Sequence, residues 1–197
     1  MHTQRFGPVK QWGFVVRDLD AAMQCWVEQL GVGPWWGYRN VRLNSRFQGI
    51  ESEVLLDVAL SYQNGVQIEL IQQRDDSPSP YRAFYATPHA QMLHQVAYMV
   101  PDLDAALLEA KAAGLTELGM LSNGDSRYYY LDSPALTGLV VELMQADPAF
   151  LADYDAQPGV SKTASGLRYR VVSEGADGGK KPGARSNVTV HYKGTFI

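Results

Sequence analysis

Two stretches of the chain alternate apolar and polar residues, and each places a glutamate inside an otherwise apolar run. They are VQIELIQ at 66–72 and LVVELMQ at 139–145, with Glu69 and Glu142 at matching positions. Because successive side chains of a strand point to opposite faces, each run predicts a strand with one wholly apolar face. The apolar faces are expected to meet helices, and the glutamate faces to point into the space that a curved sheet encloses.

These stretches belong to an internal repeat. WGFVVRDLDAAMQCWVEQLGV at 12–32 resembles VAYMVPDLDAALLEAKAAGLT at 96–116, and each predicts a strand followed by a helix. Asp18 and Asp102 are expected to cap the helices, whose apolar residues recur at helical spacing and whose ends are marked by glycines. The apolar positions and glycines are Leu19, Ala22, Trp26, Leu30 and Gly31 in the first copy, and Leu103, Ala106, Ala110, Ala113 and Gly114 in the second.

Three strand-like runs follow each predicted helix, so each half is predicted to be a βαβββ module of an α+β protein. Asn-Gly at 64–65, between two of these runs, predicts a hairpin, and a short helix is expected at 81–86 between the modules. The runs lie at 39–43, 54–62 and 66–72 in the first half, and at 117–121, 127–131 and 139–145 in the second.

The composition is that of an ordinary globular protein. The chain has 197 residues, a net charge of −4 and 46% hydrophobic residues, which allows a sizeable core. A cytoplasmic location is expected because the chain has no long apolar run, no secretory signal pattern at its start and a single cysteine, Cys25. The basic residues after position 161 are dispersed, so neither a nucleic acid nor a membrane is an expected partner.

Polar residues that open the first strand of each half extend the candidate chemistry. Gln11 begins QWGFVV and His94 begins HQVAYMV, and with Glu69 and Glu142 they would supply one nitrogen and three oxygen donors. A buried, isolated carboxylate costs several kcal/mol, so it must be paired, protonated or metal-bound. The donor set suits a borderline or hard divalent ion. The alternatives are a solvated sheet face for the glutamates and a structural hydrogen bond for His94.

Residues 7 to about 146 resemble the vicinal oxygen chelate superfamily, the glyoxalase and bleomycin-resistance fold. GPVKQWGFVVRDLDAAMQCWVEQLGVGPWW, together with VQIELIQQRDDSPSPYRAFY, is similar to its glyoxalase-like subgroup near methylmalonyl-CoA epimerase. The resemblance implies two modules, about 7–73 and 92–146, that form a curved mixed sheet around a zinc, nickel, cobalt or manganese ion. It implies Gln11, Glu69, His94 and Glu142 as ligands, Glu142 as the base, and Glu69 as a ligand or second base.

The same resemblance implies a metal-dependent lyase, isomerase or epimerase that transfers a proton next to a carbonyl through an enediolate. The expected substrate is a small-molecule carbonyl compound or acyl thioester, and a homodimer is common in this fold. One alternative is a non-catalytic ligand-binding protein of the bleomycin-resistance kind, with little bound metal. A metal-dependent oxygenase is another, although its usual site has two histidines and a second matching histidine is missing here.

Aromatic residues are expected to line the pocket for such a substrate. Those of the second half form the run 128–130, in which alternate members share one side of a strand. Packing in the core is the alternative for each of them. The candidate pocket residues are Trp35, Trp36, Tyr38, Tyr128 and Tyr130.

The tail has a separate resemblance. TASGLRYRVVSEGADGGKKPGARSNVTVHYKGTFI, from position 163, is similar to the start of an FKBP-type peptidyl-prolyl isomerase, in which Tyr192 would be the pocket tyrosine. The expected layout is a vicinal oxygen chelate domain at 1–146, a linker at 147–162 and a short, incomplete β-rich domain at 163–197. Prolyl isomerase activity is expected only in a longer full-length fusion.

Overall fold

A computed structural model of the chain describes residues 4–124, 126–145, 158–162 and 168–170. It divides into two compact units, Met1–Asp147 and Pro148–Ile197. Among the described residues, no helix has the length and apolar character that crossing a bilayer would require.

The first unit is built from two βαβββ modules, which confirms the predicted α+β fold class. The first module consists of β1 (Gln11–Val16), α1 (Leu19–Leu30), β2 (Trp36–Phe47), β3 (Ile50–Gln63) and β4 (Val66–Gln73). A short helix, α2 (Arg82–Tyr85), lies between the modules. The second module consists of β5 (Gln91–Met99), α3 (Leu103–Ala112), β6 (Thr116–Asn123), β7 (Ser126–Asp132) and β8 (Val140–Met144).

The eight strands of this unit close into one barrel, in the order β1-β4-β3-β2-β6-β7-β8-β5. Within each module the first and last strands are parallel, β1 with β4 and β5 with β8, and the other pairs are antiparallel. The modules join through β1 with β5 and through β2 with β6. The sheet is therefore mixed, as predicted, and its closure leaves none of these strands with an unpaired edge.

Both predicted helix starts are confirmed. The Asp18 carboxylate accepts a hydrogen bond from the Ala21 backbone N–H at 3.0 Å, and the Asp102 carboxylate accepts one from the Ala105 N–H at 2.9 Å. These bonds satisfy backbone donors that have no partner within the first helical turn.

The end of α1 differs from the prediction in the position of one apolar residue. Leu30, expected on the buried stripe, is 62% exposed, whereas Val32 is 7% exposed. Gly31 adopts a left-handed conformation with φ 67°, and the Val32 backbone N–H then bonds back to the Trp26 carbonyl oxygen. This helix-terminating turn folds Val32 onto the core beside Trp26 and leaves Leu30 outside.

The apolar residues separate into an interior cluster and two helix-facing clusters. The interior cluster includes Val15, Leu56, Ile71 and Leu121 from the strands, and it takes in Phe84 from the segment between the modules. The helix-facing clusters pack the outer faces of the strands against α1 and α3. The wall of the barrel therefore has two buried faces, and only its inner face can hold an enclosed site.

The second unit contains a small antiparallel pair of strands, β9 (Val160–Lys162) and β10 (Arg168–Arg170). β9 occupies the last three residues of the predicted linker at 147–162, and the domain boundaries stay a prediction. A strand of three residues is too short to show a period of two in the sequence. Tyr192, the expected pocket tyrosine of the tail, lies outside the described residues.

Candidate functional site

The strand register directs both glutamates into the barrel. Glu69 on β4 is aligned with Gly13 on β1, and Glu142 on β8 is aligned with Ala97 on β5. Ile71, two residues beyond Glu69, belongs to the interior cluster, and Val140, two residues before Glu142, packs against it. Since residues two apart share a strand face, both carboxylates point to the interior.

The two carboxylates converge on a single side-chain amide, that of Gln95 on β5. The Gln95 Nε2 lies 3.3 Å from Glu69 Oε2 and 3.1 Å from Glu142 Oε2, and it donates to both. Gln95 is fully buried, Glu142 is 3% exposed, and Glu69 is partly buried. Two acidic groups from different modules therefore share one polar neighbour inside the barrel.

Burial raises the pKa of both acids. The pKa of Glu142 rises to about 7, although hydrogen bonds from Gln95 and Tyr130 act in the opposite direction by stabilising the carboxylate. The pKa of Glu69 is raised well above its usual value, first by burial and then by the nearby charge of Glu142. Burial and the mutual repulsion of the two carboxylates therefore favour the protonated forms of these acids.

Two buried tyrosines continue the polar network from Glu142. The Tyr81 and Tyr130 hydroxyl oxygens are 2.6 Å apart, and each residue is 2% exposed. Burial raises the pKa of both phenols well above the usual value, so both stay neutral. Either hydroxyl can be the donor of this bond, and a hydrogen bond from Tyr130 helps to stabilise the Glu142 carboxylate, so the network links the inter-module segment to the acid.

His94 lies beside this site, but both of its ring nitrogens already have protein neighbours. Nε2 is 3.0 Å from the Pro80 carbonyl oxygen, and Nδ1 contacts the Gln95 side-chain oxygen. The residue occupies an irregularity in the β1–β5 register, where Gly13 is aligned with Gln95 and Phe14 with Leu93. His94 is thus the extra residue of a bulge, which lets it share the interior with Gln95.

Gln11 also faces the interior, with one polar atom that lacks a partner. Its Nε2 donates to the Gln67 side-chain oxygen at 2.6 Å, and Gln67 in turn donates to the Tyr62 hydroxyl at 2.9 Å. The Gln11 Oε1 is buried and accepts no hydrogen bond. Leaving a buried acceptor unsatisfied costs roughly 1–3 kcal/mol, and a bound cation would remove that cost.

The predicted metal-binding residues are only partly brought together. Glu69 and Glu142 meet at Gln95, Gln11 shares their face of the sheet, and His94 reaches them only through Gln95. Within the described ranges, no group of three or more His, Cys, Asp or Glu side chains is arranged to hold a metal ion. The complete set of four ligands therefore stays a prediction. The unpartnered Gln11 oxygen and the two carboxylates are nevertheless donors that fit a hard divalent ion.

Gln95 is the residue that the sequence-based prediction missed. When the two halves are aligned on Asp18 and Asp102, Gln95 occupies the position of Gln11, and His94 falls one residue earlier. The repeat itself therefore contained the signal for this residue.

The predicted pocket aromatics divide between the two faces of the sheet. Tyr130 belongs to the interior cluster, and Trp36, Tyr38 and Tyr128 pack against it. Trp35 packs instead in the cluster around α1, where its indole N–H donates to the Val32 carbonyl oxygen at 2.9 Å. Trp35 and Trp36 are adjacent at the start of β2 and point to opposite faces, so Trp35 is not part of the interior wall.

Comparisons with known proteins agree with this architecture. Residues 10–130 match the Glyoxalase/Bleomycin resistance protein/Dioxygenase superfamily. The crystal structure of methylmalonyl-CoA epimerase from Mycobacterium tuberculosis is similar, with a TM-score of 0.56 and 21% identity over 77% of this chain and 96% of that one. A hypothetical protein from Bacillus halodurans C-125 has a TM-score of 0.51 and 16% identity over 71% and 94% of the two chains.

Two further similarities concern a ligand complex and a short segment. A variant of the Streptomyces coelicolor methylmalonyl-CoA epimerase, in complex with 2-nitronate-propionyl-CoA, has a TM-score of 0.50 and 16% identity over 70% of this chain and 96% of that one. A stretch of 49 residues is 43% identical to the outer membrane protein MIP of Legionella longbeachae. That stretch covers 25% of this chain and only 20% of the length of the Legionella protein.

Proposed function

Because the chain belongs to the glyoxalase/bleomycin resistance protein/dioxygenase superfamily, we propose that it is a metal-dependent lyase, isomerase or epimerase. The reaction we propose is proton transfer at a carbon next to a carbonyl group, through an enediolate. The observation that carries this proposal is the convergence of two buried carboxylates, Glu69 and Glu142, on one amide inside a closed barrel.

We propose that a divalent ion is held by Gln11, Glu69 and Glu142. Such an ion supplies Lewis-acid stabilisation of the negative charge that develops on the carbonyl oxygen of the substrate. The support is chemical: two carboxylates and an unpartnered amide oxygen face the same interior.

Glu142 is the proposed general base. A base works best when its pKa lies near the working pH, and burial raises the pKa of Glu142 to about 7. Tyr130 donates to Glu142, and Tyr81 lies 2.6 Å beyond, so the carboxylate is held in place while it takes the proton. The proton then returns to a neighbouring atom in an isomerase, or to the opposite face of the same carbon in an epimerase.

Glu69 is the proposed ligand or second base. It comes from the other module, at the position of the repeat that corresponds to Glu142, and it approaches the same amide from its own strand. Epimerisation needs one group to remove a proton on one face of the carbon and another to return a proton on the other face. Two acids from different modules are suited to this requirement.

We propose a small carbonyl compound or an acyl thioester as the substrate. The support is that two of the similar structures are methylmalonyl-CoA epimerases, one of them holding a propionyl-CoA derivative. At 16–21% identity this similarity concerns the fold, so the substrate has to be found by experiment. A homodimer and a cytoplasmic location also remain predictions.

Solvent deuterium exchange tests the proposed reaction. The full chain, loaded with Mn²⁺ or Co²⁺, is incubated in D₂O with methylmalonyl-CoA, other acyl thioesters and hemithioacetals of 2-oxoaldehydes, and the mass of each compound is followed. We expect one deuterium to enter next to the carbonyl of at least one compound, and a chelator to stop it.

The matched control is Glu53→Gln, which removes a carboxylate that is 51% exposed and paired with Arg42 on the surface. This variant should exchange deuterium as fast as the wild type. Absence of exchange in every compound with every added ion would refute the proposed reaction.

We propose that residues 163–197 are the beginning of an FKBP-type domain, joined through 147–162 to the domain at 1–146. The support is the resemblance of the tail and the 43% identity over 49 residues to an outer membrane protein. Because the matched stretch covers only 20% of the length of that relative, we expect no prolyl isomerase activity from the 197-residue chain. A protease-coupled assay with a proline-containing peptide measures this, and clear catalysis would contradict the expectation.

A further inference from the structure

The segment between the modules covers one end of the barrel. Ser79 and Phe84 of this segment are 0% and 1% exposed. The Ser79 hydroxyl donates to the side-chain oxygen of Gln73, the last residue of β4, at 2.7 Å, and the Pro78 carbonyl oxygen accepts from Ser45 of β2 at 3.0 Å. Since β3 lies between β4 and β2, the segment spans three neighbouring strands and closes this end.

The inward side chains become more exposed toward the opposite end. On β3 the inward positions between 54 and 60 are buried, whereas Tyr62 is only partly buried. On β4 Ile71 is buried, whereas Glu69 and Gln67, farther from the closed end, are partly buried. A substrate therefore reaches the acids from the end that contains Tyr62, and any part of it that the interior cannot hold extends through that end.

The inward side chains at this open end are uncharged. Strand register and the period of two place six of them there: Trp36, Tyr38, Tyr62, Gln67, Tyr128 and Met144. Burial raises the pKa of all three tyrosines, so their hydroxyls stay neutral. A charged group that entered here would lose water and gain no ion pair from these six residues. The lining therefore favours an uncharged part of a substrate.

Two of these rings are stacked. The centroids of Trp36 and Tyr62 are 5.4 Å apart and their planes differ by 22°. Both residues are only partly buried, so the pair does not belong to the closed core. Trp36 is aligned with Leu60, which is aligned with Glu69 on the next strand. Trp36 thus lies two strand spacings, about 10 Å, from the acid.

The stacked pair is held in place by its neighbours. The Tyr62 hydroxyl accepts from the Gln67 side-chain amide at 2.9 Å. Next to Trp36, a β-carbon at Gly37 would lie 1.9 Å from the Val58 carbonyl oxygen, so at this point the backbone of β2 lies unusually close to β3. A flat surface that is fixed before binding loses little freedom when a ligand stacks on it.

We propose that the substrate carries an uncharged aromatic ring a few bonds from its carbonyl group, and that Trp36, stacked on Tyr62, selects the substrate by packing against this ring. The proposal rests on the proposed function, which places the reacting carbon at the two acids, and it names the substrate class. The class is aryl-substituted carbonyl compounds and aryl-substituted acyl thioesters. The adenine of coenzyme A is a less suitable ring, because a long chain separates it from the thioester.

Binding of matched thioesters to the full chain tests this specificity. The probes are N-acetylcysteamine thioesters of 3-phenylpropanoic, 3-cyclohexylpropanoic and 3-(4-carboxyphenyl)propanoic acid, titrated calorimetrically with and without Mn²⁺. Aromatic stacking adds to the burial of apolar area, so we expect the phenyl probe to bind about three- to tenfold more tightly than the cyclohexyl probe. The carboxyphenyl probe should bind roughly tenfold more weakly than the phenyl probe.

Variants assign the preference to the stacked pair. Trp36→Leu should bring the ratio of phenyl to cyclohexyl affinity close to one, and Tyr62→Leu should lower it, while Tyr62→Phe, which keeps the ring, should retain it. Trp12→Leu is the matched control, because Trp12 is 37% exposed and lies between the inward residues Gln11 and Gly13 on the opposite face of β1. Circular dichroism and thermal melting check that each variant folds.

The outcomes separate the ring specificity from the proposed reaction. Absence of phenyl-probe binding, equal binding of the phenyl and cyclohexyl probes, or an unchanged ratio in Trp36→Leu would overturn the specificity, even if deuterium enters other compounds. Competition by adenosine 3′,5′-bisphosphate that Trp36→Leu abolishes would assign the stack to a nucleotide and would also overturn it. If the phenyl probe binds with the expected preference but no compound takes up deuterium with any added ion, the ring site stands and the proposed reaction fails.

Discussion

Replacing Glu142 by glutamine is expected to lower the rate of proton exchange by about two to four powers of ten, the usual contribution of a general base. Glutamine has nearly the same shape but cannot take a proton, and it keeps an oxygen that Tyr130 can donate to. The effect should therefore fall on the chemical step and not on the fold. Deuterium incorporation at saturating substrate and saturating Mn²⁺ measures it.

Metal content must be determined on the same samples, because Glu142 is proposed both as a ligand and as the base. If the ion remains bound while the rate falls, the loss belongs to proton transfer; if the ion is lost, the loss belongs to the metal site. Glu53→Gln is the matched control, since it removes a carboxylate that is 51% exposed and paired with Arg42 on the surface. Exchange by Glu142→Gln within about threefold of the wild-type rate would exclude Glu142 as the base.

The metal-free protein is expected to lose stability as the pH rises from about 5 to about 8. A carboxyl group whose pKa is higher in the folded than in the unfolded chain binds more protons when folded, so a rising pH favours unfolding. For Glu142, a pKa raised from 4.5 to about 7 corresponds to a loss on the order of 3 kcal/mol in the free energy of unfolding. Glu69, whose pKa is also raised, acts in the same direction.

Denaturant unfolding in the presence of a chelator, at several pH values across this range, measures the loss. Glu142→Gln cannot ionise at this position and should flatten the dependence, while Glu53→Gln should reproduce the wild type. Added Mn²⁺ should reverse the trend, because the ion binds the ionised carboxylates of the folded chain. A metal-free wild type whose stability is constant or rises with pH would show that the two acids are not buried together.

The fold was largely predictable from the sequence because its modules are defined by short-range patterns. Local patterns indicate each element directly. Helix starts are marked by aspartates at 18 and 102, helix ends by glycines at 31 and 114, and strands by the alternation in 66–72 and 139–145. The β2–β3 hairpin was less visible in the sequence. β2 continues beyond its predicted run to Phe47, and β3 begins before its predicted run, at Ile50. The turn between them contains Gln48 and Gly49, both with positive φ. Gln-Gly is a weaker turn signal than Asn-Gly, so this hairpin was predicted too short.

The candidate site was predictable only in part. Strand alternation placed Glu69 and Glu142 on the inner face correctly, because successive side chains of a strand point to opposite faces whether the sheet is flat or curved. The same rule could not decide between His94 and Gln95, since one extra residue at a bulge changes which side chains share a face. The segment that brings Pro80 to His94 and Tyr81 to Tyr130 gives no periodic signal for its position inside the barrel.

By itself, the sequence determined the two modules, their helix ends and the pair of acids, because each depends on residues a few positions apart. Only the tertiary structure decided that the acids meet at Gln95, that His94 Nε2 is hydrogen-bonded to the Pro80 carbonyl oxygen, and that Trp35 faces away from the interior. These contacts join strands that are distant in the chain, and their partners are set by closure of the barrel and by one bulge. Local propensity contains no information about either.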